Sequence, residues 1–255
     1  MKILHALILS LIEGLTEFLP VSSTGHMILA SALMKIDENE FVKTFEIAIQ
    51  SGAIIAIAFI YFKRFLHGLE IYFKLAAAFI PTALVGFLAY DYVKKLLFNP
   101  IIVAISLIIG GIILILVDRK VTGKKSIVSS LEQISYKNAF FIGLIQCFSI
   151  IPGTSRAAAT IVGGLFNGLD KKQATEFSFL LAIPVMFSAT GYDLYKTTAH
   201  FSWNEYMLLF IGITGAFISA LFAVKIFLRI VENYGFIHFG VYRIILGVVF
   251  LIWII

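Results

Sequence analysis

The 22 residues from Leu96 to Val117 carry no charged side chain and lie between Lys94-Lys95 and Asp118-Arg119-Lys120. A helix needs about 20 apolar residues to cross the hydrocarbon of a bilayer. In that solvent every backbone N–H and C=O must be satisfied within the protein, so only helices and closed barrels span it. Tyr206–Val224 predicts a second span, and Phe236–Ile255, interrupted only by His238 and Arg243, a third. Ile47–Phe62, Leu75–Tyr90 and Phe177–Tyr192, at 16 residues each, predict three shorter spans whose flanking side chains snorkel to the interface. Charged residues make up only 14% of the chain and mean hydropathy is +0.98, whereas soluble domains carry about 25% charge.

Two more apolar stretches, 3–34 and 138–169, are too long for one span, and each is broken near its middle by proline and hydroxyl residues. They predict re-entrant helical hairpins whose non-helical tips are buried in protein. The expected fold is therefore an all-α integral membrane protein: a single membrane domain over 1–255 with six transmembrane helices plus two re-entrant hairpins. An internal similarity divides it. At an offset of 132, PVSST (20–24) falls on PGTSR (152–156), KTFEIAI (43–49) falls nearly on ATEFSFL (174–180), and FIPTALVGF (79–87) precedes FIGITGAF (210–217) by about 131. One hairpin and three spans per half make the second half run upside down, an inverted-topology repeat whose breaks meet near the midplane. Repeat 1 covers about 1–117 and repeat 2 about 138–255, joined by the polar loop 118–137.

Twelve Lys/Arg fall in loops 63–74, 118–137, 170–176 and 225–235, against six on the other side. The positive-inside rule puts those loops in the cytoplasm and both termini outside. The net charge of +5 gathers in these loops, which fits a membrane protein and argues against a nucleic-acid surface. Cys147 is the only cysteine, so no internal disulfide forms, and a small buried filler is its ordinary role.

The chemistry is concentrated at the breaks. Glu13 and Glu17 share a helix face, and two close carboxylates suit a divalent cation with hard oxygen ligands, Mg²⁺ or Ca²⁺; the plainer reading is a pair of carboxylates facing headgroup water. After Pro20, the hydroxyls Ser22, Ser23 and Thr24 and the Cβ-free Gly25 start a new helix whose amides form an anion cradle. His26 lies three residues after Ser23, close enough to exchange a proton with it, although capping hydroxyls beside a packed histidine would look alike. The second break supplies Arg156, whose planar fork suits phosphate oxygens, with Ser155 capping and Thr160 one turn on. Arg156 could also pair with Glu13 or Glu17 simply to tie the halves together. Metal-binding acids, a hydroxyl nucleophile, a histidine and an arginine clamp in a membrane are equipment for phosphoryl chemistry on a lipid substrate. A transporter is the alternative, since inverted repeats meeting at broken helices are a transporter architecture; a flippase for a lipid phosphate would need Arg156 but has no use for Ser23 beside His26.

EGLTEFLPVSSTGH (13–26) and PGTSR (152–156) with Thr160 resemble the two signatures of the undecaprenyl-diphosphate phosphatases, the bacitracin-resistance family. The resemblance extends to KTFE (43–46), Gln50, LFNP (97–100), EFSFLLAIP (176–184), DLYK (193–196) and Tyr242-Arg243; it departs at Ala157, where the family usually has Ser. It implies removal of the terminal phosphate of undecaprenyl diphosphate with a divalent cation, in the bacterial cytoplasmic membrane, at a site open to the outer face. Glu13 and Glu17 would hold the metal or the diphosphate, Ser23 would attack with His26 as acid/base partner, and Arg156 would clamp phosphate with Ser22, Thr24, Gly25, Ser155 and Thr160. The reverse assignment, with His26 attacking, stays open, and Glu46, Gln50 and Glu176 are candidates for supporting contacts. The partners implied are the polyprenyl diphosphate lipid and the bilayer, with a homodimer allowed.

Overall fold

The computed structural model describes residues 1–66, 69–96, 99–123, 126–196 and 201–254. Leu97 and Phe98 of the LFNP motif, and Lys124 and Lys125 of the joining loop, lie outside the described residues. Helices account for all the regular structure among the described residues: α1 (Ile3–Thr16), α2 (Ser23–Leu33), α3 (Glu40–Ala48), α4 (Gln50–Ile60), α5 (Glu70–Leu96), α6 (Pro100–Val121), α7 (Tyr136–Gln146), α8 (Arg156–Phe166), α9 (Lys171–Lys196), α10 (Trp203–Tyr234) and α11 (Ile237–Ile254). Five stretches are long and apolar enough to cross a membrane: Glu40–Ile60, Glu70–Tyr92, Pro100–Val121, Lys171–Lys196 and Trp203–Tyr234. The last expected span is the shorter apolar helix α11. The chain is thus an all-α membrane protein, and both expected hairpins are helix–break–helix units, α1/α2 and α7/α8.

Helix ends differ from the uncharged runs because capping chemistry, rather than the last charge, decides them. The run beginning at Leu96 belongs to two helices: α5 ends there, and α6 begins only at Pro100, where Asn99 accepts hydrogen bonds from the amides of Ile101 (3.1 Å) and Ile102 (3.2 Å). The span expected from Ile47 starts at Glu40, capped by Asn39, whose side chain accepts from Phe41 N at 2.9 Å. Helix α10 runs ten residues past Val224, from a Ser202/Glu205 capping box to Gly235 at φ +68.

Phe18, Phe177, Phe179, Phe227 and Phe236 fill the centre, fully buried. Phe87, Leu88, Phe210 and Ile252 face outward, as a lipid-facing surface requires. Lipid gives helices no hydrophobic reason to associate, so close backbone packing carries the load. It does so in two matching places. Helix α1 packs on α10, where a Cβ on Gly14 would meet Ala216 O at 2.4 Å, and α7 packs on α5, where a Cβ on Gly143 would meet Ala78 O at 2.0 Å. Each hairpin's first arm therefore lies against a helix of the other half, and α6 lies along α11.

Replacing Gly143 by Ala forces α7 off α5 and should destabilise the protein by at least the roughly 1–3 kcal/mol typical of overpacking. At this chain length that corresponds to about 2–4 °C of Tm per kcal/mol. Gly86→Ala on the same α5, with nothing within 4 Å of the new Cβ, should leave Tm unchanged or raise it. Thermal unfolding of the two variants in detergent checks the contrast.

Candidate active site

Both breaks are built by the same device. Helix α1 ends at Thr16, the chain turns through Glu17–Val21, and Ser22, at φ +70, caps α2 by accepting a hydrogen bond from Gly25 N at 3.3 Å. In the second hairpin Ser155, at φ +73, caps α8 by accepting from Ala158 N at 3.2 Å. A positive φ on a residue with a Cβ is strained and persists only where the surroundings enforce it. The caps stand 133 residues apart, one more than the expected offset of 132. Aligning Pro20 with Pro152 hides an extra residue in the second turn, which Gly153 accommodates at φ +85. The first helical residue after each cap is consequently Ser23 in one hairpin and Arg156 in the other.

These two residues meet through Glu17. Arg156 Nη2 donates to Glu17 Oε1 at 3.1 Å, while the Ser23 hydroxyl donates to Glu17 Oε2. The ion pair is sealed, with side-chain exposures of 9% and 8%. Phe18 lies under the guanidinium, its ring centroid 5.5 Å from Cζ, and Arg156 Nη1 donates to the carbonyl (3.1 Å) and hydroxyl (3.3 Å) of Ser178 on α9. The tie between halves expected of Arg156 is therefore present, through Glu17 rather than Glu13.

Two groups beside this pair lack partners among the described residues. Both oxygens of Glu13, which is 0% exposed, accept no hydrogen bond, and Arg156 Nε is a buried donor with no acceptor. Glu13 is within electrostatic range of Glu17, Glu46 and Arg156. Buried unsatisfied polar atoms are rare in folded proteins and ask for a reason. A carboxylate without a donor could take a cation and a guanidinium N–H without an acceptor could take an anion, so these two groups could meet a ligand of both signs. The donor set suits a hard divalent cation held by Glu13 and Glu17, with water and phosphate oxygens completing the shell in the manner of Mg²⁺. No cluster of three or more His, Cys, Asp or Glu with metal-binding geometry occurs among the described residues, so protein ligands alone would not close it.

His26 lies elsewhere than expected. Its Nδ1 is 2.8 Å from the Ser22 carbonyl, which can only accept, so the neutral ring carries its proton there; Nε2 then accepts from the Tyr242 hydroxyl at 2.6 Å. The two rings stack with an interplanar angle of 11°. Ser23, committed to Glu17, makes no hydrogen bond with His26. Thr24 is half-buried near the tip. Gly25 abuts α6, where a Cβ would come 3.2 Å from Val103 Cγ1, so its missing side chain serves packing. The Thr160 hydroxyl is turned away from the tip, toward Gln146 Oε1 (2.9 Å) and Arg156 O (2.8 Å). Glu46 is buried on α3 with Oε1 unpartnered, whereas Glu176 lies 3.7 Å from Arg64. Phe18, Ser178, Tyr242 and Arg243 fall within the stretches that carry the resemblance, but the sequence alone pointed to no contact for any of them.

Relatives share this chain from end to end. Undecaprenyl-diphosphatases from Wolinella succinogenes (51% identical over 254 residues, 100% of this chain and 99% of the relative), Sulfurihydrogenibium sp. (49% over 253 residues, 99% and 100%) and Campylobacter jejuni (49% over 251 residues, 98% and 94%) all align with it. Residues 6–249 match the model of the family described as bacitracin resistance protein BacA, and with both breaks inside that match the chain belongs to this family.

Proposed function

We propose that this chain hydrolyses undecaprenyl diphosphate to undecaprenyl phosphate and inorganic phosphate within the membrane, returning the carrier lipid to cell-wall synthesis and conferring bacitracin resistance. The observation that carries the reading is the Arg156–Glu17–Ser23 chain, with its unpaired donor and acceptor, across two breaks inside an apolar body.

The terminal phosphate accepts from Arg156 Nε and Nη2 and draws the guanidinium from Glu17. Glu17, freed of its counter-charge and bonded to the Ser23 hydroxyl, takes the proton as Ser23 Oγ attacks the terminal phosphorus. A Ser–O–P bond forms, the bridging P–O bond breaks, and undecaprenyl phosphate departs. Glu17 hands that proton back to Ser23 Oγ as the Ser–O–P bond breaks and takes one from the attacking water; inorganic phosphate leaves, and loss of the Glu17 proton to bulk water restores the carboxylate. A divalent cation held by Glu13 and Glu17 would supply neutralisation of phosphate charge. His26 accepts from the half-exposed Tyr242 hydroxyl through Nε2, so only its doubly protonated form could give a proton from Nε2 to the departing oxygen. Transport of a polyprenyl phosphate would leave the Ser23–Glu17 contact without a task. The substrate reaches the site from the outer face of the bacterial cytoplasmic membrane, in the orientation set by the loop charges.

Ser23→Ala removes the nucleophile, and Arg156→Ala leaves phosphate charge unpaired. Each should lower phosphate release from undecaprenyl diphosphate by roughly 10²–10⁴-fold; wild-type rates in Arg156→Ala would remove the clamp. Glu13→Gln should shift the divalent-cation requirement to higher concentration, and an unchanged metal titration would strike Glu13 from the ligands. In a Cys147→Ala background, Lys172→Cys, at a side chain 64% exposed, should react with an impermeant maleimide only after the cytoplasmic side is opened. Labelling of intact cells would invert the topology.

A further inference from the structure

Arg243 of α11 is the largest fully buried side chain, 0% exposed, and no carboxylate among the described residues pairs with it. Its partners are four backbone carbonyls. Nη1 donates to Pro20 O at 2.9 Å, and Nη2 donates to Gly153 O at 3.0 Å and Ser106 O at 3.2 Å. Nε donates to Leu107 O at 3.3 Å. Pro20 lies in the first break and Gly153 in the second; Ser106 and Leu107 belong to α6. One planar group thus touches both non-helical turns and the helix between them.

The location is demanding. A charge at membrane depth is costly unless fully solvated by protein, and four carbonyl dipoles aimed at one guanidinium provide that solvation. The carbonyls of a broken helix are the groups that lack intrahelical partners, so the same contacts satisfy the turns. Both breaks also lean on one residue of α6: a Cβ on Gly153 would come 2.5 Å from Val103 O, and one on Gly25 would come 3.2 Å from Val103 Cγ1. The fork reaches its acceptors only because Gly110 has no side chain, since a Cβ there would stand 2.2 Å from Arg243 Nη2.

We propose that Arg243 is a positioning residue for the reaction: its guanidinium, bonded at once to Pro20 O and Gly153 O, sets the separation of the two breaks and so holds Ser23 and Glu17 in register with Arg156. The catalytic part rests on the hydrolase reading above; the geometric part does not. Lysine cannot replace it, because a single ammonium has no planar fork to span two turns. Gly110→Ala displaces the fork without removing its charge, and alanine favours the helix over glycine.

The test uses full-length protein in detergent, in a Cys147→Ala background, comparing wild type, Arg243→Lys and Gly110→Ala. Steady-state phosphate release from undecaprenyl diphosphate gives kcat and KM. Spin labels at Leu33→Cys and Phe166→Cys, exposed at the far ends of α2 and α8, report the placement of one hairpin against the other. The expected result is a kcat lower by about 100-fold, the cost of an ångström-scale misplacement, with KM within about threefold and a broadened or shifted inter-label distance. Gly110→Ala should show this at temperatures where the variant is fully folded, which a merely stabilising role for Arg243 does not produce. A folded variant that keeps either the wild-type kcat or the wild-type distance distribution overturns the proposal. If Arg243→Lys does not fold, Gly110→Ala decides alone. If wild type releases no phosphate, the hydrolase reading falls while the distances still decide the clamp.

Discussion

The contact between Arg156 and Glu17 is the one on which the remaining organisation depends. Two opposite charges in a dry interior attract strongly, but each has surrendered its water, so the pair is worth little relative to apolar residues and much relative to either partner alone. Losing one side of such a pair typically costs about 3–5 kcal/mol. The consequence here is geometric. Glu17 ends one hairpin's first arm and Arg156 begins the other's second, so the penalty for separating them pins the two turns together. Glu17 is then spoken for on one oxygen and turns the other to Ser23. In the proposed reaction, a substrate phosphate that takes over Arg156 would release the base that activates the nucleophile. Binding and activation would then be one event, because the resting partner of Arg156 is also the acceptor of the Ser23 hydroxyl.

That arrangement needs a frame that lipid does not supply. With no hydrophobic gain from bringing apolar helices together in a bilayer, adhesion falls to backbone contact and to polar groups with nowhere else to go. Gly14 against α10 and Gly143 against α5 are the first kind, and both lie in the arm that leads into a break. The ring stack and hydrogen bond of His26 with Tyr242 are the second kind. Precision at the tips is therefore inherited from contacts with α5, α10 and α11, helices outside the two hairpins.

Much of this was legible in the sequence because a membrane simplifies the grammar. Uncharged runs mark helices, and polar residues inside them mark work, so the two hairpins, the acidic pair, Ser23 and Arg156 all stood out against an apolar background. What did not stand out were the partners. His26 is nearer to Ser23 in the chain than Glu17, three residues against six, yet the turn at Ser22 with its positive φ brings the hydroxyl to the carboxylate. Thr160 sits one turn from Arg156 and would pass for a phosphate ligand, yet its hydroxyl is held by Gln146 across the hairpin. Phe18 and Ser178 support the guanidinium from positions that read as ordinary core. Local spacing places residues on a face, whereas the direction of a hydroxyl depends on elements that meet only after folding.

The similarity of the two breaks explains how one site acquires two unlike halves. Each is a turn, a strained serine cap and an eleven-residue helix, and the backbone is indifferent to the side chain that follows the cap. Placing a hydroxyl there in one copy and a guanidinium in the other sets the proposed nucleophile and the proposed phosphate clamp at like positions in two helix starts. Both helix N-termini add their partial positive charge at the same end, so an anion is favoured by either. The surplus negative charge of Glu13 and Glu17 over Arg156 runs the other way. In the proposed reaction a phosphate carrying a cation would suit this balance better than a bare one, with the unpartnered Glu13 carboxyl the group through which the cation would enter.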